Sequence, residues 1–142
     1  MDKELELLAH QIATEAHKGQ TDKSGKPYIG HVERVANRCH TPEAKIVALL
    51  HDVIEDTEVT ADELRQKGIP ENIVQAVLTI TRTYGEPYET YIHRLSPNPL
   101  CREVKIADLE DNMDIRRLNE LTDKDVRRLR KYLNAWQLLC TK

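Results

Sequence analysis

Aromatic residues and excess positive charge are both scarce in this chain, and each scarcity excludes a class of protein. The 142 residues include no Phe and one Trp, and aromatic residues make up 4% of the sequence. So few aromatic side chains argue against the stacking platforms of proteins that bind single-stranded nucleic acid. Basic residues number 21 and acidic residues 24, so the chain lacks the cationic excess that favours nucleic-acid binding. We therefore expect no nucleic-acid partner.

Long apolar runs and paired cysteines are also missing. The apolar run 46–50 is only about five residues long, whereas a membrane-spanning helix needs about 20. The N-terminus is acidic and amphipathic, which is unlike a secretory signal. The three cysteines are widely separated and form no Cys-x-x-Cys motif, which predicts reduced thiols and argues against a structural zinc site. These features predict a cytoplasmic protein with no membrane partner.

Helix signals, in contrast, recur along the whole chain. N-terminal capping residues and prolines precede apolar residues spaced three and four apart, which is typical of amphipathic helices. The last predicted helix carries Val126, Leu129, Leu133, Trp136 and Cys140 on its inner side. Helices are predicted over 3–18, from 29 to about 39, from 42 through about 56, over 60–68, from 70 to about 84, over 87–95, from 99 to about 113, and from 122 onward. The sequence therefore predicts an all-α fold, with residues 1–142 forming a single helical bundle of about seven or eight helices.

One stretch of the third predicted helix concentrates chemically active side chains. Within residues 48–57, an apolar segment leads into His51, Asp52, Glu55 and Asp56. Residues four apart share a helical face, so a continuous helix would pair His51 with Glu55 and Asp52 with Asp56. These groups are costly to bury unless they are paired or bind a cation. The stretch therefore indicates a metal site, and a solvated helix end that carries acids is the alternative.

A metal site also needs ligands from other helices. His31 begins an apolar helix, and Asp108 interrupts an apolar helical face, so both are candidates. The alternatives are a capping or core histidine, and a surface acid paired with Lys105 or Arg116. Two histidines and two carboxylates favour Mn²⁺, Fe²⁺, Co²⁺ or Zn²⁺. A bound ion of this kind activates water and polarises phosphoryl oxygens.

Glu55 and Asp56 lie one turn beyond the candidate ligands His51 and Asp52. Carboxylates in this position can orient or deprotonate a water molecule without binding the ion. We therefore predict that Glu55 and Asp56 are catalytic acids or bases.

The same residues carry a family resemblance. The order His31, His51-Asp52 and Asp108 is similar to that of the HD-domain metal-dependent phosphohydrolases. Four segments are more specific: His-Lys-Gly-Gln at 17–20, Ser-Gly-Lys-Pro-Tyr-Ile-Gly-His at 24–31, His-Asp-Val-Ile-Glu-Asp-Thr at 51–57 and Lys-Ile-Ala-Asp-Leu-Glu-Asp-Asn-Met at 105–113. Together they resemble the hydrolase domain of the RelA/SpoT family, and especially its small stand-alone bacterial and metazoan members. The similarity extends over residues 8–136.

The resemblance implies a Mn²⁺-dependent hydrolase that removes the 3′-pyrophosphate from the nucleotides ppGpp and pppGpp. By this resemblance, His31, His51, Asp52 and Asp108 bind the metal, and Glu55 and Asp56 act on the attacking water. It also implies nucleotide contacts at Lys23, Ser24, Tyr28 and Asn112. A cationic loop beside a metal suits such a phosphate-rich substrate.

Two positions depart from the family pattern, and both lie on the substrate side. Asp22 replaces an Arg that packs on the guanine, and Asp114-Ile115 replaces an Arg-Thr pair. These changes leave open a second reading, a phosphohydrolase acting on NADPH or a nucleoside phosphate. A third reading, a non-catalytic nucleotide-sensing domain, would predict that metal ligands or catalytic acids are lost, and none is.

Overall fold

Every long element in the part of the chain that the structure describes, residues 2–141, is a helix. The structure is a computed structural model, and it confirms the predicted all-α fold. Within the described range, the elements in chain order are α1 (Asp2–Ala16), α2 (Ile29–Arg38), α3 (Pro42–Leu50), α4 (Val53–Asp56), α5 (Ala61–Gln66), α6 (Glu71–Ile80), α7 (Tyr88–Leu95), α8 (Pro99–Asn112), a 3₁₀ turn (Ile115–Arg117) and α9 (Asp123–Cys140).

Helix α3 lies at the centre of the fold. It packs against α1, α2, α6 and α8, and six of its nine residues are buried. Buried side chains occur around its whole circumference, as expected for a helix enclosed by others. Thr41 caps its N-terminus by accepting a hydrogen bond from the Ala44 backbone N–H, and Pro42 begins its first turn. The C-terminal end of α3 therefore delivers the residues that follow it into the protein interior.

The predicted continuous helix through residue 56 is wrong at its most important point. Helix α3 ends at Leu50, and His51 and Asp52 form a turn before the short helix α4. The backbone N–H of His51 bonds to the carbonyl of Ala48, three residues back, which tightens the last turn. Consecutive side chains of a regular helix diverge by about 100°. The break instead lets His51 and Asp52 point to the same place, with His51 Nε2 3.0 Å from Asp52 Oδ2.

Several other predicted boundaries are displaced by a few residues. Helix α1 ends at Ala16 instead of residue 18, and Gly19 follows with a positive φ of 86°. Helix α6 ends at Ile80, about four residues early, because Thr81 adopts an extended conformation. Residues 81–87 are then free to form a loop beside α4.

The predicted inner face of the last helix is only partly correct, since Trp136 packs against the core and Leu129 lines a cavity, but the other three residues do not face inward. Val126 and Leu133 are exposed, and so is Cys140. The buried residues of α9 are Ala135 and Leu139. Contacts with α8 and α7 cover this second face, and the N-terminal half of α9 instead borders a cavity. None of the helices in residues 2–141 combines the length and apolar character that crossing a membrane requires.

Candidate functional site

Four predicted metal ligands come together between α2, α8 and the turn that joins α3 to α4. Their nitrogen and oxygen atoms all lie within 4.8 Å of one another. Asp108 Oδ1 is 2.9 Å from His31 Nε2 and 3.2 Å from His51 Nε2. Asp52 Oδ2 is 3.9 Å from His31 Nε2. The cluster could therefore hold one metal ion between two imidazoles and two carboxylates.

Each imidazole is oriented by a bond on the side away from the cluster. His31 Nδ1 lies 2.6 Å from Asp111 Oδ2, and His51 Nδ1 bonds to the carbonyl oxygen of Ala48. These bonds direct both Nε2 atoms toward the centre, and metal-binding histidines are usually oriented in this way by a bond at the other ring nitrogen. Sequence reasoning missed Asp111. Its spacing of three residues from Asp108, on the same face of α8, was the available signal.

The charges of the cluster fit a cation. Burial alone lowers a histidine pKa, but Asp108 and Asp111 outweigh burial and raise the pKa of His31. Asp52 and Asp108 likewise raise the pKa of His51 well above its ordinary value. The buried carboxylates therefore favour the protonated form of both imidazoles when no metal is bound. A divalent ion could replace these protons, since metal binding to histidine releases them, and the donor set suits Mn²⁺, Fe²⁺, Co²⁺ or Zn²⁺.

Asp108 also has the ion-pair partner that the alternative reading named. Lys105 Nζ lies 2.9 Å from Asp108 Oδ2, and the Lys105 side chain is only 11% exposed. Arg116, the other suggested partner, instead pairs with Asp114 at 2.8 Å. Asp108 thus presents one oxygen to the histidines and the other to Lys105. Because Asp108 is only 4% exposed, it is not the surface acid of the alternative interpretation, although it has the Lys105 partner which that interpretation named.

The two predicted catalytic acids lie on α4 at the edge of the cluster, and both side chains are exposed. Glu55 accepts a hydrogen bond from the Arg82 backbone N–H at 2.9 Å. Although the Asp56 side chain is exposed, neighbouring protein atoms partly desolvate its carboxyl group. This desolvation, together with the negative charges of Asp52 and Glu55, raises the Asp56 pKa to about 6. A carboxyl group with a pKa near neutrality is typical of a general base or acid.

A buried histidine supports α4 from the other side. His17 is 2% exposed, and its Nδ1 lies 2.9 Å from Gln20 Oε1. The Gln20 amide nitrogen donates to the backbone carbonyl of Asp56 at 3.0 Å. His17 and Gln20 therefore connect the chain after α1 to the end of α4. In the sequence these two residues were noted only as part of the motif at 17–20.

A cavity of about 430 Å³ extends from the cluster to the surface. All four predicted nucleotide contacts line it: Lys23, Ser24, Tyr28 and Asn112. Tyr28 donates its hydroxyl hydrogen to Asp52, and the Asn112 amide donates to Asp108 Oδ1 at 3.2 Å. These two side chains therefore touch the candidate ligands directly.

A further group of cavity-lining residues, here called the cationic wall, is cationic and aromatic, and the sequence analysis missed it. Burial and the nearby charge of Arg128 lower the pKa of Lys23, and burial and Arg82 lower the pKa of Lys131. Cations placed this close repel one another and attract an anion. Residues of this wall come from the loop after α6, from α7 and from α9: Arg82, Tyr88, Arg128, Lys131 and Tyr132.

Asp22, where the sequence departs from the family pattern, points into its own loop. Its Oδ1 accepts hydrogen bonds from the backbone N–H of Ser24, the Ser24 hydroxyl and the backbone N–H of Lys26, at 2.7–3.0 Å. Arg117 Nη1 lies 3.4 Å from Asp22 Oδ2. Its charge is therefore compensated within the loop and by Arg117.

Comparison with known proteins places this geometry in context. The Escherichia coli protein named bifunctional (p)ppGpp synthase/hydrolase SpoT is 34% identical over 122 residues, covering 74% of this chain and 17% of that protein. A guanosine-3′,5′-bis(diphosphate) 3′-pyrophosphohydrolase of Aquifex aeolicus is 31% identical over 117 residues, with the same shares. This chain therefore spans about a sixth of the length of these curated relatives. No protein-family profile matches it.

A solved structure shares the fold. It is described as a metazoan ortholog of SpoT that hydrolyses ppGpp, and it superposes with a TM-score of 0.76 at 20% identity. The alignment covers 95% of this chain and 84% of the other. The resemblance to the RelA/SpoT-type hydrolase domain is therefore confirmed: this chain is an all-α HD-type domain related to the SpoT proteins.

Proposed function

We propose that this protein is a metal-dependent phosphohydrolase that removes the 3′-pyrophosphate of ppGpp and pppGpp. One observation carries the proposal: two imidazoles and two carboxylates within 4.8 Å of one another open onto a cavity with a cationic wall. The names of the relatives and of the structural neighbour supply the substrate. A nucleotide substrate and three free cysteines suit the cytoplasm, and residues 1–142 are proposed to form one domain.

In this proposal His31, His51, Asp52 and Asp108 hold the metal, with Mn²⁺ the first candidate and Fe²⁺, Co²⁺ and Zn²⁺ the alternatives. A bound divalent ion would polarise the phosphoryl oxygen and lower the pKa of a coordinated water molecule. Asp111 and the Ala48 carbonyl fix the tautomers of the two histidines. Lys105 keeps Asp108 ionised, because its ammonium group lowers the Asp108 pKa against the effect of burial.

Glu55 and Asp56 are proposed to handle the proton of the attacking water. The pKa of Asp56, raised to about 6, leaves it ionised at neutral pH but basic enough to accept a proton. Glu55 is held in place by the Arg82 backbone. Neither acid belongs to the group of atoms that could share one ion, so each is free to act on water or on the leaving group.

Two groups of cavity-lining residues are proposed to bind the nucleotide. Tyr28 and Asn112, which touch the candidate ligands, contact it near the metal together with Ser24. Lys23, which lies near Arg128, joins the cationic wall of Arg82, Arg128 and Lys131 in binding its other phosphates. Charge-assisted bonds from such cations are among the stronger polar contacts in proteins. A substrate with phosphate groups at two separate positions could contact both groups of residues at once.

A second candidate function is hydrolysis of another nucleotide, such as NADPH or a nucleoside phosphate. The observation that favours it is the inward orientation of Asp22, which leaves no guanidinium face at that position for a guanine to stack on. The sensing role is disfavoured because every proposed ligand and acid is present in the sequence.

The experiment is a release assay on the Mn²⁺-loaded protein with ppGpp, pppGpp, NADPH, and nucleoside mono- and triphosphates. We expect pyrophosphate from ppGpp and pppGpp at the highest kcat/KM. Asp52→Ala should lose bound metal and activity together, whereas Asp62→Ala, on the exposed surface of α5, should lose neither. Full metal content in Asp52→Ala would contradict the ligand assignment, and a higher kcat/KM on NADPH or a nucleoside phosphate would favour the second function.

A further inference from the structure

We infer that Asp22 is a positioning residue that couples the substrate loop to the metal centre through Arg34, Arg117 and Asp111. The inference rests on the proposed metal site. Asp22 departs from the family pattern, and by sequence alone it only removes the Arg side chain that packs on the guanine. The structure assigns it a different task, because it lies at one end of a chain of contacts that ends at His31.

The first link is the fold of the loop itself. Residues 21–27 form a narrow turn closed by an antiparallel bridge between Thr21 and Pro27. The backbone N–H of Asp22 donates to the Lys26 carbonyl at 2.8 Å, and the Asp22 carboxylate accepts the bonds from Ser24 and Lys26 described above. Gly25 completes the turn with a positive φ of 83°. Asp22 therefore determines where the tip residues Lys23 and Ser24 stand.

The second link is a pair of arginines between two acids. Arg117 reaches Asp22 Oδ2 with Nη1 at 3.4 Å, and its Nη2 donates to the Asp111 carbonyl at 2.7 Å. Arg34 donates from Nε to Asp111 Oδ1 at 2.8 Å, and its Nη2 lies 4.0 Å from Asp22 Oδ2. Asp111 is 1% exposed and Asp22 is 9% exposed, so water screens these charges less than at an open surface.

The third link is the bond from Asp111 to His31. The two Asp111 oxygens are divided between Arg34 and His31. Any shift of the arginines therefore moves or reorients the carboxylate that fixes the His31 ring. Outer-sphere partners of a metal-binding histidine typically change metal affinity 10- to 100-fold when they are mutated. A loop residue outside the metal cluster should thus alter metal binding.

Coupling of this kind is reciprocal: if the loop conformation changes metal affinity, then bound metal must stabilise the loop by the same factor. A purely local role for Asp22 predicts neither effect. In that case a change at residue 22 would loosen the loop equally with and without metal. The two possibilities are therefore separated by measurements that involve no nucleotide.

The main test is the affinity of the wild-type protein and of Asp22→Asn for Mn²⁺, measured by calorimetry. Asparagine keeps an oxygen that can accept the loop hydrogen bonds, but it removes the charge that faces Arg117 and Arg34. We expect Mn²⁺ to bind at least about fivefold more weakly, at the lower end of typical coupling factors. The matched control is Asp62→Asn, which breaks the exposed Asp62–Arg65 pair, 2.7 Å long, on α5. The control should bind Mn²⁺ as the wild type does.

The second test is hydrogen exchange of the amides of residues 22–26. In the wild type, Mn²⁺ should slow their exchange, and in Asp22→Asn this metal-dependent protection should be reduced. Arg117→Gln breaks the same link from its other end and serves if Asp22→Asn does not fold. The double variant should bind Mn²⁺ no more weakly than the weaker single variant, since changes in one network are not additive.

An Mn²⁺ affinity within a factor of about two of the wild type in both single variants would overturn the inference, since typical coupling is larger. Loop protection that is independent of Mn²⁺ in the wild type would overturn it as well. Mn²⁺ binding to the wild type itself tests the proposed metal centre separately. A protein that binds Mn²⁺ and shows the coupling, yet does not hydrolyse ppGpp, would contradict only the proposed function.

Discussion

Replacing Lys105 with methionine should destabilise the metal-free protein far more than the metal-bound one. The Lys105 ammonium lies 2.9 Å from Asp108 Oδ2, and the side chain is 11% exposed. Breaking a buried ion pair by removing one partner typically costs about 3–5 kcal/mol, because the remaining charge is left buried. Asp108 keeps His31, His51 and Asn112 as partners. We therefore expect the free energy of unfolding to fall by about 3 kcal/mol, the lower end of that range. For a chain of this size, this corresponds to a fall in Tm of about 10 °C.

Methionine suits this test because its side chain is similar in length and apolar. The Lys105 nitrogen lies 5.7 Å and 5.3 Å from the ring centroids of Tyr88 and Tyr91, so methionine can fill the same space against the rings. The measured loss should then report on the missing charge. In the presence of Mn²⁺, the ion supplies positive charge to Asp108. The decrease in the free energy of unfolding caused by Lys105→Met should then be less than half of its value without metal.

The assay is urea or thermal unfolding of Lys105→Met and wild type, with Mn²⁺ and with a chelator. Lys67→Met is the matched control, because Lys67 is exposed and pairs with none of the described residues. Its effect should stay within about 0.5 kcal/mol. An equal loss with and without Mn²⁺ would refute the reasoning, since Asp108 would then not exchange one cation for another.

Two further predictions concern the acids on α4. Glu55→Gln should keep normal metal content but lose about 10²–10⁴ in rate, the usual size of general-base catalysis; activity within about twofold of the wild type would exclude Glu55 from water activation. Asp56→Asn should abolish activity but stabilise the metal-free protein at pH 7. The folded-state pKa of about 6 lies above the ordinary value of 3.8, so ionising Asp56 disfavours the folded state as pH rises between these values. The gain in the free energy of unfolding should be under about 1 kcal/mol because water screens this exposed group. In denaturant titrations this gain should vanish below pH 3.8. An equal gain at pH 7 and below pH 3.8 would show that the charge of Asp56 is not its cause.

The sequence predicted the convergence of the candidate ligands because each one is conspicuous locally. His51 and Asp52 follow an apolar run, and Asp108 interrupts one. A polar group at such a position needs a partner, and that requirement can be read without knowing the fold. His31 was the less obvious choice, because its only local signal was its place at the start of an apolar helix, and the family pattern supported it.

The residues that the sequence analysis missed are those whose meaning depends on packing. Arg82, Arg128 and Lys131 look like ordinary surface cations, and only the placement of α9 brings Arg128 and Lys131 to the same cavity as Arg82. The inner face of α9 was itself partly mispredicted, because its apolar residues lie on two faces and the buried one includes Ala135 and Leu139. The turn at His51 was missed for a similar reason, because neither Gly nor Pro marks it.

The order of these elements along the chain separates two properties of the site. Every proposed metal ligand and catalytic acid lies before the end of α8, whereas α9 contributes Arg128, Lys131 and Tyr132 to the cationic wall of the cavity. Helix α9 packs on α7 and α8 and supplies none of the atoms of the metal cluster. Changes confined to the cavity face of α9 can therefore alter which phosphorylated compound is accepted while the bond-breaking apparatus stays the same. Under the proposed function, substrate choice could thus change through α9 while the proposed metal ligands and catalytic acids stay unaltered.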